Sequence, residues 1–239
     1  MMHRRTTTRM IACLVVSFAV AGGCDKNKQA QSQHDREVAQ RQKGEAKANS
    51  DKFESSEDPP FTAETRFAAG QLAESQRQFD NAISQYREAL KLNPKHLDST
   101  FRLGAVYVQT KRYDEAIATW QRYLKLTNNS PQGYNNLALA YEAAGRPREA
   151  EQAYQAALAR DPNHQAARVN YGLMLARRND FDGATKHLSA VLPPAAVHYN
   201  LGSVCEQQGR TEDAKAYYRK ALELDPKLRD ARARLSVLK

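Results

Sequence analysis

From residue 61 onward, small residues recur on a fixed period. Gly70, Gly104, Ala138 and Gly172 stand 34 residues apart, and Ala82, Ala116, Ala150 and Ala184 follow them by twelve. Gly202 and Ala214 repeat the twelve-residue offset a fifth time. The apolar residues around them keep helical spacing. Leu103-Gly104-x-x-Tyr107, Leu137-Ala138-x-x-Tyr141 and Leu201-Gly202-x-x-Cys205 each place i, i+1 and i+4 on one face. A break follows, as in Ala144-Gly145-Arg146-Pro147 or Gln208-Gly209-Arg210, where glycine suits the left-handed residue that ends a helix. A second helix carries Ala150, Tyr154 and Ala157, or Ala214, Tyr218 and Ala221. It stops at Asn93-Pro94, Asp161-Pro162 or Asp225-Pro226, because proline has no N–H to donate and its ring blocks continuation. Small residues let the two helices approach closely, and aromatics fill the space between successive pairs. No pair buries its apolar faces alone, so the units must stack.

This pattern resembles the tetratricopeptide repeat over about residues 62–239. The shared features are small residues at repeat positions 8, 20 and 27, an aromatic at 24 and proline at 32. The resemblance implies an all-α fold, a right-handed superhelical solenoid of helix-turn-helix units. The units are 63–96, 97–130, 131–164, 165–194 and 195–228, within a domain of residues 61–239. Two depart from the pattern. The second has Asn128 in place of proline and Tyr123 in place of alanine, which predicts a less sharply ended helix. The fourth has only 30 residues, with Leu188 and Val191 at the aromatic and alanine positions. Its Val191-Leu192-Pro193-Pro194 predicts a second helix shortened by about one turn. Residues 229–239, with Ala231, Leu235 and Leu238, form a capping helix over the last apolar face.

The N-terminal residues read differently. Arg4, Arg5 and Arg9 precede an apolar run from Met10 to Ala21. A spanning helix needs about 20 apolar residues, so the run is too short, and its flanks are those of an export signal. Ala21-Gly22-Gly23-Cys24 resembles the lipobox of bacterial lipoproteins, which implies cleavage after residue 23 and lipidation of Cys24. Ala21 stands where that family usually has leucine. Ala19-Val20-Ala21 also fits ordinary signal-peptidase cleavage, which would release a soluble protein from Gly22. Acyl chains at about 0.8 kcal/mol per buried methylene would anchor the first form firmly. Asp25 resembles an inner-membrane retention signal, though the choice between inner and outer membrane stays open. Residues 25–60 are rich in Gln, Lys, Glu, Ser and Asp, and cannot bury enough surface to offset the entropy of ordering. As a flexible tether they span about 30–36 Å root-mean-square.

No catalytic constellation is present in the sequence, and none of the six histidines keeps metal-ligand spacing. His96 and His164 fall at unit junctions and read as solvated connectors, and Cys205 takes the place of Tyr107 and Tyr141 as a core residue. An enzyme, a cofactor, a metal and a small-molecule substrate are therefore not expected. The resemblance implies that the first helix of each unit lines a concave groove with positions 2, 5, 6, 9, 12 and 13. Position 5 supplies Phe67, Phe101, Asn135, Val169 and Tyr199, and position 6 supplies Ala68, Arg102, Asn136, Asn170 and Asn200. Leu139 and Leu173 add apolar area, and Arg102 and Arg177 add positive charge. The asparagines Asn136, Asn170 and Asn200 form a ladder. A carboxamide both donates and accepts, so such a ladder can pair with the backbone of an extended peptide. It resembles the ladder of glycosyltransferase-associated tetratricopeptide superhelices. The alternative reading is that each asparagine bonds a neighbouring helix. The lysine-led clamp for chaperone C-termini is absent, since Phe67, Phe101, Asn135 and Val169 occupy its leading position.

Charge changes this picture little. The 36 basic and 27 acidic residues give +9, which alone would permit a nucleic-acid ligand. The signal carries +3, residues 24–60 carry −1, and the repeats keep +7. An exported chain would not meet nucleic acid, so none is expected as a partner. The mean hydropathy of −0.75 owes much to the tether. The sequence thus predicts a lipid-anchored scaffold of the bacterial cell envelope, facing the periplasm or exterior, with a protein or peptide partner. By resemblance it is similar to lipoproteins that assist pilus or secretin assembly, or that dock cell-wall enzymes. The alternatives are a secreted soluble adaptor or an accessory subunit that regulates a cell-wall enzyme of the envelope.

Overall fold

The computed structural model describes residues 61–238 and the single position Gln40. The signal segment, Cys24 and the tether lie outside the described residues. Ten helices form five antiparallel pairs. The pairs are α1 (Ala63–Ser75) with α2 (Phe79–Leu92), α3 (Leu97–Gln109) with α4 (Tyr113–Leu126), and α5 (Pro131–Ala143) with α6 (Pro147–Arg160). Next come α7 (Gln165–Arg177) with α8 (Phe181–Ser189), and α9 (Pro194–Gln207) with α10 (Thr211–Leu224). The helix α11 (Arg229–Val237) follows and packs on α10. There is no strand among the described residues, and consecutive pairs stack into the expected all-α solenoid.

One backbone device ends every first helix. Arg77, Lys111, Gly145, Asn179 and Gly209 all take φ between 60° and 74°. The next residue then donates its N–H five residues back, as in Gln78 to the Ala73 carbonyl and Arg112 to the Tyr107 carbonyl, both at 2.8 Å. The same bond recurs at Arg146–Tyr141, Asp180–Leu175 and Arg210–Cys205. This is the Schellman closure, which satisfies carbonyls that the helix would otherwise leave bare. Only two of the five left-handed residues are glycines, so glycine alone does not mark the turn.

The second helices end on a different device. Asn93, Asp161 and Asp225 are extended, and their side chains accept the N–H of Lys95, Asn163 and Lys227 at 2.9–3.0 Å. The chain then enters the next helix through a cap. His96 Nδ1 accepts the Ser99 N–H at 3.1 Å, and His164 Nδ1 accepts that of Ala167 at 3.2 Å. These histidines are helix caps rather than mere solvated connectors. The expected loosening of the second unit does not occur. Its α4 has 14 residues, like α2, α6 and α10, because Asn128 and Asn129 at φ 50° and 60° turn the chain without proline.

The small residues do what their spacing requires. A Cβ on Gly70 would lie 2.4 Å from the Tyr86 ring, and one on Gly104 would lie 2.7 Å from the Trp120 ring. All five alanines at position 20 are fully buried. Cys205 is also fully buried in the core, and burial pushes its thiol up. In the fourth unit α8 has only nine residues. Pro193 caps α9 and Pro194 is its first residue, so the helix begins one residue ahead of the fifth unit. The first helix α7 packs directly on both α5 and α9.

Left-handed non-glycine residues cost about 1–2 kcal/mol. Lys111→Gly is therefore expected to raise stability by about 1 kcal/mol, and Gly145→Ala to lower it by a similar amount. Urea midpoints of the two variants, read by circular dichroism, check both signs.

Candidate functional site

The first-helix positions singled out in the sequence divide into three groups. Asn135 is only 4% exposed. It donates Nδ2 to Asn136 Oδ1 at 3.2 Å and accepts from Asn170 Nδ2 at 2.9 Å. Buried in this way, Asn135 is a support for its neighbours rather than an open contact. Asn136, Asn170 and Asn200 are partly exposed. Each makes one bond inward, Asn200 donating to its own helix at the Ala196 carbonyl at 2.8 Å. Only Asn170 bonds a neighbouring helix, at Asn135. Asn136 Nδ2, Asn170 Oδ1 and Asn200 Oδ1 have no partner among the described residues. A donor and two acceptors remain on successive units.

The apolar members serve the core on one side and solvent on the other. Phe101 meets Trp120 edge-on at 5.2 Å and Tyr123 at 5.8 Å. Tyr199 lies 5.7 Å from Tyr218, and Leu173 packs half-buried against the core. Leu139 stands beside the asparagines with 37% of its surface exposed.

The two arginines are not free charges. Arg102 forks onto Glu74 at 2.6 and 3.1 Å, and Tyr86 donates its hydroxyl to the same carboxylate at 2.8 Å. Arg177 pairs with Glu142, which also accepts from Tyr154 at 3.2 Å. A third copy joins Arg234 of α11 to Glu206 and Tyr218, the hydroxyl at 2.7 Å. In each, position 24 of one unit and an arginine of the next element share a single carboxylate at position 12. Burial and the adjacent Glu74 push the Tyr86 phenol up to about 12. Tyr154 and Tyr218 are also pushed up, chiefly by burial. These clamps join units one to two, three to four, and five to the cap. The second and fourth units have Val108 and Ala176 at position 12. Trp120, which would face that carboxylate, keeps a buried Nε1 with no partner.

The clamps were overlooked in the sequence, yet a signal exists. Glu74–Tyr86, Glu142–Tyr154 and Glu206–Tyr218 share a twelve-residue spacing. Among the described residues no group of three or more His, Cys, Asp or Glu side chains is placed to hold a metal. Nor is any helix there long and apolar enough to cross a membrane.

Hydrogen bonds to charged groups contribute about 1.5–3 kcal/mol. Glu142→Ala is expected to cost about 2 kcal/mol, since it strands a buried hydroxyl and an arginine at once. Glu149→Ala breaks an exposed pair with Arg146 and a backbone bond in the first turn of α6, and should cost far less than Glu142→Ala. Denaturation of the two variants side by side tests this.

Two family models described as tetratricopeptide repeat match the chain, one at residues 67–131 and 135–196 and the other at 195–228. No curated protein matches it. Among solved structures, the MamA protein is similar at 24% identity with a TM-score of 0.56, covering 69% of this chain and 92% of that one. TTC0263, a thermophilic TPR protein of Thermus thermophilus, is 22% identical with a TM-score of 0.54, over 73% and 97% of the two chains. YrrB, described as a TPR protein with an unusual peptide-binding site, is 22% identical with a TM-score of 0.50, over 79% and 97%. These identities carry the fold alone. With family matches running from residue 67 to residue 228 and five stacked helix pairs beneath them, the chain belongs to the tetratricopeptide repeat family.

Proposed function

We propose that this protein is a non-enzymatic scaffold that binds an extended segment of a partner protein along its first helices. The observation that carries this reading is the strip formed by Asn136, Asn170, Asn200 and Leu139. It offers one free donor, two free acceptors and an exposed apolar side chain on consecutive units. An extended peptide presents alternating N–H and C=O groups, so side-chain amides at unit spacing can hold its backbone. An apolar side chain of the peptide would rest on Leu139 and Leu173. The peptide-binding site named for YrrB is in keeping with this use of the fold. Arg102 and Arg177, spent on their carboxylates, hold the shape of the strip and contribute little free charge.

In the same proposal the scaffold is carried at the bacterial envelope by a lipid on Cys24. The tether holds it off the membrane while it assists assembly of an envelope complex. The support for this is the order of features in the sequence: arginines, apolar run, Ala21-Gly22-Gly23-Cys24, then 36 residues rich in polar side chains.

Two experiments test the reading. Peptides selected from a random display library on the Cys24→Ser chain should bind it saturably. They should lose about tenfold or more in affinity when Asn136, Asn170 and Asn200 are all alanine. Leu139→Glu, which leaves the Asn135 bonds intact, should weaken them similarly, and unchanged affinity in both variants would sink the groove. For the anchor, labelled palmitate should mark the wild type and not Cys24→Ser. Equal labelling of the two, or none in either, overturns it.

A further inference from the structure

On the opposite side from the asparagine strip, the second helices of the first two units flank a cleft of about 580 Å³. Its walls are α2 and α4, and its floor is the inner face of α3, where Leu103 and Tyr107 lie beside Leu90 of α2. Part of its rim is shared architecture. Arg112 lies 4.8 Å over the Tyr107 ring and pairs with Glu115 at 2.7 Å. Arg146, Tyr141 and Glu149 repeat that arrangement one unit later, with the same 4.8 Å separation. A feature repeated at two successive junctions belongs to the fold.

Two other cations are missing from the next junction. Arg87 on α2 has no hydrogen bond or ion pair among the described residues, its neighbour Glu88 being held by Lys91, and Arg122 on α4 donates only to the Pro94 carbonyl. One unit later Gln121 and Ala156 hold their positions, and Gln121 is occupied by the Tyr141 hydroxyl at 3.3 Å. Ala118 lines the wall of the first cleft, where the next unit has the larger Gln152. The first junction is therefore both more open and more positive than its successor. An apolar floor between two unpaired guanidiniums calls for a ligand with the reverse arrangement, an apolar side chain flanked by carboxylates.

We propose that this cleft is a second binding site, for an acidic segment of a partner protein in which an aliphatic side chain is flanked by glutamate or aspartate. Carboxylates bridge Arg87 and Arg122 across the opening, and the aliphatic group covers Leu103 and Tyr107. The site is separate from the asparagine strip and does not depend on it, so the scaffold can hold two segments at once.

The test uses the Cys24→Ser chain and a fluorescein-labelled, end-blocked decapeptide alternating glutamate and leucine, read by fluorescence anisotropy. Saturable binding is expected, weakening with added salt. It should fall about tenfold or more in Arg87→Gln/Arg122→Gln, and likewise when glutamine replaces glutamate in the peptide. Arg87→Glu alone, which disturbs no bond of the fold, should abolish it. Arg148→Gln/Arg160→Gln removes two exposed cations elsewhere and should change it little, as should the triple asparagine variant. No saturation by about 1 mM peptide, or equal loss in the Arg148/Arg160 control, overturns the site. Loss confined to the asparagine variant would assign acidic peptides to the groove instead. If phosphatidylglycerol vesicles capture the chain through Arg87 and Arg122 while the peptide does not bind, the patch faces lipid and the proposal fails. A shift to dimer in sedimentation, abolished by Arg87→Glu without peptide binding, would fail it in favour of a second copy of the chain.

Discussion

Everything in the array depends on how closely the two helices of a unit approach. Position 8 of the first helix meets position 24 of the second, and in four of the five units there is no room between them even for a Cβ. At Gly70 and Gly104 an added Cβ would sit inside the facing ring, and at Gly172 and Gly202 it would lie 2.9 Å from Leu188 and Tyr218. That contact fixes the crossing of each pair. The fully buried alanine at position 20 closes it from the other side. Once the pair is closed, its remaining apolar face is too large to leave in water, and the next unit must cover it.

The close contact also explains why charge sits where it does. A tyrosine pressed against a glycine carries its hydroxyl to the edge of the pair, where it needs an acceptor. Glu74, Glu142 and Glu206 supply one, and each carboxylate then draws an arginine from the following element. Where the position holds Trp120 or Leu188, the partner position is Val108 or Ala176 and no arginine is recruited. A steric requirement inside a unit is thereby converted into an ionic tie between units, at alternate junctions. The basic groove expected from Arg102 and Arg177 disappears for this reason. Arg87 and Arg122, on the second helices, are among the cations that keep no ion pair.

How much of this was legible follows from what each feature needs. Small residues at positions 8 and 20 are required by contact, so they are visible as a period. The left-handed turn is a backbone state that Arg77, Lys111 and Asn179 also adopt, so glycine revealed two of its five occurrences. Asn128 and Asn129 hid a sharp helix end because their turn needs no proline. Asn135 and Asn136 are adjacent, and nothing local says which of them faces inward. The bond from Asn170 decides it, and that bond depends on how the third and fourth units stack. The histidine caps had a signal, since His96 and His164 both follow the extended Asn93 or Asp161 by three residues.

The nine-residue α8 has a consequence for the order in which the molecule comes apart. Stability in a linear array is a sum over neighbours, and local opening follows the thinnest of them. Between the fourth and fifth units the second helix is short and no carboxylate clamp crosses. Polar ties there run from Gln208 to the Arg177 carbonyl and from Arg210 to Asn179. Beyond it, the fifth unit and α11 share their own core of Cys205, Ala214, Tyr218, Ala221 and Ala231, and their own clamp. Unzipping therefore starts at that seam. The last unit and its cap swing away as one block, while the first four units keep their stacking and the strip loses only its Asn200 rung.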